Sequence, residues 1–180
     1  MKAYVFLAEG FEEIEAITPI DILRRADIEV TTVSVLSHKE VCGAHGITVV
    51  ADVLFDQTDY SDNDLLLLPG GMPGTKNLDA HQGLKHLLRK QAEQGKYLAA
   101  ICAAPSILGG MGLLQGKEAI CYPSFEPKLL GATLSADKVV QSGTIITAMG
   151  AGVAVQFALK LVEVMKGKAT ADKISKAICS

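Results

Sequence analysis

Nowhere does the chain gather its basic residues into a stripe. Its 17 Lys and Arg stand against 20 Asp and Glu, a formal net charge of −3, so a phosphate backbone finds no electrostatic footprint and nucleic acid is not an expected partner. No apolar run approaches the roughly 18 residues of a membrane helix; LLLLPGG and LAAICAAP are each interrupted by Gly or Pro within a few positions. The opening MKAYVFLAEGFEE offers only a short apolar stretch before Glu9, Glu12 and Glu13 and no small-residue cleavage site. A mature chain starting at its initiator, in the cytoplasm, is therefore expected, with no membrane partner. Cys42, Cys102, Cys121 and Cys179 show no CxxC spacing and read as reduced thiols. Neither CxxC nor HExxH supports a zinc site, so no metal and no cofactor is expected. Linkers, repeats and low-complexity segments are missing too, and 180 residues that are 49% hydrophobic fit one domain, 1–180.

What is present is alternation. Short apolar, β-branched runs at Ala3–Ala8, Glu29–Val35, Asp64–Leu68, Tyr97–Ile101 and Thr144–Ala148 are separated by amphipathic stretches, the pattern of βαβ units and a mostly parallel sheet. Continuous apolarity in VFLA, LLLL and LAAI implies strands covered on both faces, hence an α/β three-layer sandwich. Leu84, Leu87, Leu88 and Ala92, and later Val153, Phe157, Leu161 and Val164, recur at helical spacing and predict two core-facing helices. VCGAHGITVVADVLF, turning at Gly43–Gly46, reads as a β-ribbon rather than a crossover helix.

Three segments carry possible chemistry. In KYLAAICAAPSILGG a buried strand runs straight into Cys102 and then a proline-started helix, as in the nucleophile elbow of hydrolases. Backbone N–H groups and the helix dipole there predict a lowered thiol pKa; the bland alternative is a small hydrophobe buried at a strand end. LPGGMPGTKN brings Gly70 and Gly71 to the same carboxyl edge of the sheet, either as oxyanion-hole amides or as a tight turn; it matches neither GxGxxG nor GxxxxGK[ST]. In AEGFEEIEAITPIDILRRA, Glu12, Glu13 and Glu15 read mostly as solvated helix-start carboxylates, with one of them directed at the elbow. Ile14, Ile17 and Leu23 are expected to give apolar contacts, and Pro19 to kink the helix or mark a late start. All four histidines precede Cys102, against the chain order of a hydrolase triad; only His45, on the ribbon, has a route to the elbow.

AEGFEEIEAITPIDILRRA, LPGGMPGTKNL, AAICAAP and MGAGVAVQFALKLVEVMKGK together resemble, in order and spacing, the ThiJ/PfpI superfamily and its Parkinsonism-associated deglycase branch. The resemblance implies a flavodoxin-like sandwich and a homodimer. It implies Cys102 as nucleophile, Glu15 as a protonated carboxyl group donating to the thiolate, and backbone amides from Gly71 and Ala103. Arg25 matches an arginine that reaches the partner subunit's site. Ala103 stands where the protease-like branch has histidine, which disfavours a peptidase. Tyr122 and His45 stand where the human member has histidine and arginine. The implied activity is a cofactor-independent cysteine enzyme acting on reactive carbonyls, such as methylglyoxal or its early adducts on glycated protein. The alternative is a redox-responsive, chaperone-like protein working through oxidation of Cys102.

Overall fold

The structure, a computed structural model, describes residues 1–180. In chain order it runs β1 (Lys2–Leu7), α1 (Glu13–Arg25), β2 (Glu29–Ser34), β3 (Glu40–Cys42), β4 (Thr48–Val50), β5 (Val53–Leu54), β6 (Leu65–Leu68), α2 (Gly74–Ala80), α3 (Gln82–Glu93), β7 (Tyr97–Ile101) and α4 (Pro105–Gly110). There follow β8 (Glu118–Ala119), β9 (Thr133–Leu134), β10 (Val139–Ser142), β11 (Ile145–Ala148), α5 (Ala154–Lys166) and α6 (Lys168–Ala177). Seven strands form one sheet in the order β10-β11-β7-β6-β1-β2-β5. Only the β10–β11 pair is antiparallel. The five strands expected from the sequence are all there, their ends within one residue of the apolar runs.

The three layers follow from side-chain alternation along the strands. Ala3, Val5, Leu7, Leu65 and Leu67 pack with Ala16, Leu23, Phe157 and Leu161 of α1 and α5. Tyr4, Phe6, Leu66 and Leu68 face the opposite way, onto Leu78, Leu84, Leu88 and Ile107 of α2, α3 and α4. Because β1 lies between β2 and β6, the connections leaving it diverge to either side, and the crevice opens at the carboxyl ends of β1 and β6; open α/β sheets bind ligands there.

Two expectations for the first helix need correction. Of the two outcomes expected at Pro19, a kink or a late start, the late start is excluded because α1 runs through it, and the ring leaves the Glu15 carbonyl without its usual i+4 donor. Ile14 and Ile17 are 53% and 42% exposed, whereas Leu23 is buried as expected, together with Ala16 and Ile20. The ribbon forms as expected, with β3 and β4 antiparallel, and it is tied to the end of β1 by Gly10 N–H to Cys42 O at 2.8 Å and Ala44 N–H to Phe11 O at 2.8 Å.

Candidate active site

Cys102 directly follows β7 and holds φ at 64°, a left-handed conformation that costs a non-glycine residue strain and persists only when its surroundings hold it. Both of its main-chain groups are held. Its N–H donates to Ala148 O at the end of β11 (2.9 Å), and its carbonyl accepts from Tyr122 N–H (2.7 Å). The elbow turns the half-buried thiol toward Glu15, which rises from the first turn of α1 and is 1% exposed. Gly70 N–H donates to Glu15 Oε2 at 2.9 Å, and the Glu15 carboxyl and the N–H groups of Gly71 and Ala103 lie close enough to the sulfur to act on its ionisation.

The glycine pair is there because of crowding. A Cβ on Gly70 would lie 2.6 Å from Glu15 Oε2 and 2.7 Å from Cys102 Cβ; only glycine lets carboxyl and thiol meet over this loop. Gly71 has φ +90° and a Cβ there would run into the backbone of Gly10 and Glu12, whose N–H in turn holds Gly70 O at 3.0 Å.

Burial pushes the Glu15 carboxyl up to about 7, against hydrogen bonds from Cys102 and Gly70. The thiol is also pushed up, to about 12, by burial and then by the charge and hydrogen bond of Glu15, with the Ala103 and Gly71 N–H groups opposing. This reverses the lowered thiol pKa expected from the sequence. The physical reasons are the burial of the thiol and the Glu15 carboxylate set against the sulfur, which together outweigh the N–H donors. The two groups titrate as a pair. Above about pH 7 the pair carries one negative charge and one proton, and sulfur becomes thiolate when that proton sits on Glu15.

The remaining sequence candidates fall around this pair. Glu13 is no solvated cap: it is 6% exposed and fastens the ribbon, its Oε1 accepting from His45 N–H (2.7 Å) and Ile47 N–H (3.3 Å) and its Oε2 facing His45 Nδ1 at 2.9 Å. Burial pushes this carboxyl up, but the His45 ring and the backbone donors outweigh it and hold it below the usual range; His45 is correspondingly raised by Glu13 and then Glu12. Although donor atoms of Glu12, Glu13 and His45 lie within 4.8 Å of one another, Glu13 is already committed to the ribbon. Arg25 is held by Asp21 at 2.7 Å. Tyr122 reaches the site through its main chain, while its ring lies 3.4 Å from where a Gly150 Cβ would be and is 51% exposed. Unforeseen in the sequence were the anchoring role of Glu13 and the main-chain contacts of Ala148 and Ala151, the latter donating toward Glu15. The MGAG segment was the available signal for Ala151.

A cysteine on a strained elbow, facing a buried carboxyl group and two main-chain donors at the carboxyl edge of a parallel sheet, defines a cysteine-elbow α/β protein. The chain belongs to the DJ-1/PfpI family, which it matches over residues 1–179. It is 41% identical to protein DJ-1 homolog B of Arabidopsis thaliana over 97% of its own length but only 40% of that protein's, so it spans about two fifths of this relative. It is 32% identical to the glutathione-independent glyoxalase DJR-1.2 of Caenorhabditis elegans, covering 95% of this chain and 91% of that one. Oxidised DJ-1 of Toxoplasma gondii superposes with a TM-score of 0.95 at 38% identity, covering 99% and 97% of the two chains. No helix is long and apolar enough to cross a membrane.

Proposed function

We propose that the protein is a cofactor-independent enzyme that converts methylglyoxal, or the early adducts it forms on proteins, to a hydroxy acid. The observation that carries this reading is the buried Glu15 carboxyl set against the Cys102 thiol over Gly70, with Gly71 and Ala103 N–H groups beside the sulfur; the glyoxalase name of the Caenorhabditis elegans relative supports it. The Cys102 thiolate adds to the aldehyde carbon, which a protein adduct supplies as its C–N bond breaks and the amine leaves, and the oxyanion takes the proton held by Glu15, giving a hemithioacetal. Gly71 and Ala103 N–H groups stabilise the oxyanion. Glu15, with a pKa near the working pH, removes the proton from C1 and returns it to C2, so the C1 carbon is oxidised as C2 is reduced and a 2-hydroxyacyl thioester results. Water then cleaves the C–S bond, releasing lactate and the thiol.

Purified protein without glutathione or metal is expected to form lactate, and Cys102→Ala to abolish it. The redox-responsive reading is favoured by one feature, a half-buried thiol already faced by three donors able to hold an oxidised sulfur. If lactate stays at the Cys102→Ala background while peroxide converts Cys102 to sulfinate ahead of the more exposed Cys179, that reading replaces the enzymatic one.

The working unit in this proposal is a symmetric homodimer. Ile14 and Ile17 on α1 and Ile47 and Val50 on the ribbon, the last two 58% and 65% exposed, leave apolar surface on these two elements, Ile17 and Val50 lining one groove, which with Arg25 on α1 suits an isologous contact that brings Arg25 to the partner's site. Sedimentation at micromolar concentration is expected to give two chains per particle; one chain per particle rejects the dimer.

A further inference from the structure

A cavity of about 360 Å³, which none of the steps above uses, is lined by residues that follow the Cys102 site along the chain. It is attached to three segments that position Cys102 and its neighbouring N–H groups. Met72, on one wall, follows Gly71 directly. Ser106, on another, is one turn beyond Cys102, and its hydroxyl donates to Ala103 O at 2.6 Å. Phe125, on the third, donates its N–H at 3.1 Å to the carbonyl of Tyr122, whose own N–H holds Cys102 O.

The charges on these walls are unequal. Lys76 and Lys128 both line the cavity, and neither takes part in any ion pair of the protein. Lys128 instead lies over the Phe125 ring at 4.8 Å. The one lining carboxylate, Asp79, is already neutralised by Lys85 at 3.0 Å. Part of the wall is Thr75, which is 3% exposed and keeps its Oγ1 inside the fold without a hydrogen-bond partner. Met72 and Leu130, 40% and 57% exposed, add apolar surface. Two unpaired cations and an apolar lip suit a ligand with a short carbon chain ending in an anionic oxygen group.

We infer that this cavity is the subsite for a carboxylate or phosphate group carried by the substrate at some distance from its reacting carbonyl. The inference rests on the reading of Cys102 as the reacting group and names the substrate class that reading leaves open. Lysine, a compact point charge, serves either anion, so the shared chemistry is an anionic oxygen group and the source is a matter for the test.

Labelling of Cys102 provides a readout independent of turnover. Rate constants at the Cys102 peptide are measured by mass spectrometry for 3-maleimidopropionate and for N-ethylmaleimide, which share a warhead and differ in the carboxylate. The anionic-to-neutral rate ratio is expected to fall about fivefold in the Lys76→Gln, Lys128→Gln double variant at low salt, the size of two exposed charge contacts, and to fall in the parent as salt is raised. In the parent, succinate or glycerol phosphate is expected to slow N-ethylmaleimide labelling, and whichever does so identifies the anion. A ratio that the double substitution leaves unchanged overturns the subsite, as does the failure of both anions to protect. A protein that forms no lactate yet shows the ratio change keeps the subsite and loses the enzymatic reading; lactate formation with an unchanged ratio does the reverse.

Discussion

Glu15→Gln is expected to make the protein inactive and, above pH 7, more stable. Glu15 is the proton carrier in the proposed reaction, and removing a positioned acid–base group costs roughly 10²–10⁴-fold in rate. The stability gain follows from the raised pKa. With a folded value of about 7 against 4.5 for the ordinary carboxyl, both states hold the proton below 4.5, so burial carries no ionisation penalty there. Between 4.5 and 7 the unfolded chain ionises while the folded one keeps its proton, and stability falls as pH rises; above 7 the loss is complete. A shift of this size corresponds to about 3 kcal/mol. The glutamine side chain of the Glu15→Gln variant does not titrate, and its amide oxygen still accepts from Gly70 N–H. Urea unfolding of parent and variant should therefore diverge by about that amount between roughly pH 4.5 and pH 8. Parallel curves across that range would mean that Glu15 is not held protonated by burial.

The second large effect belongs to a residue with no side chain. Gly70→Ala places a methyl group 2.6 Å from Glu15 Oε2 and 2.7 Å from Cys102 Cβ, contacts that force the two reacting groups apart. Overpacking of this kind costs about 1–3 kcal/mol of stability, and misplacing a reacting group by about 1 Å costs roughly 10²-fold in rate. Lactate formation should therefore fall by two orders of magnitude or more while the variant remains folded by circular dichroism. A Gly70→Ala protein with parental kcat/KM would show that the close approach of Glu15 and Cys102 is not needed for turnover.

Much of this architecture was legible because it rests on hydrophobicity. The buried strands are continuous apolar runs, and the elbow at Cys102 stands at the one point where such a run meets a cysteine and a proline-started helix. The positions that escaped are those where a side chain's surroundings come from distant segments. Glu13 and Glu15 are two residues apart on one helix turn and look equivalent in sequence. One is buried under the ribbon through Gly43, His45 and Ile47, the other under the Gly70 loop, and neither burial is written in local spacing. The direction of the thiol pKa failed for the same reason: the local pattern gives the helix start and the N–H donors, whereas the dominant effects, burial and the Glu15 charge, arrive from other parts of the chain. Ile14 and Ile17 were expected in the core because apolar residues on a helix are usually buried. Their exposure in one chain is what the proposed dimer accounts for.

The central claim, that Cys102 and Glu15 act as one proton-sharing pair on a reactive carbonyl, is tested most directly by running the methylglyoxal reaction in D₂O and examining the lactate by NMR. A proton carried from C1 to C2 by Glu15 passes through an exchangeable carboxyl group, so lactate above the Cys102→Ala background, with deuterium at C2, is the expected product. Lactate retaining only the original hydrogen at C2, or none above that background, would contradict the account.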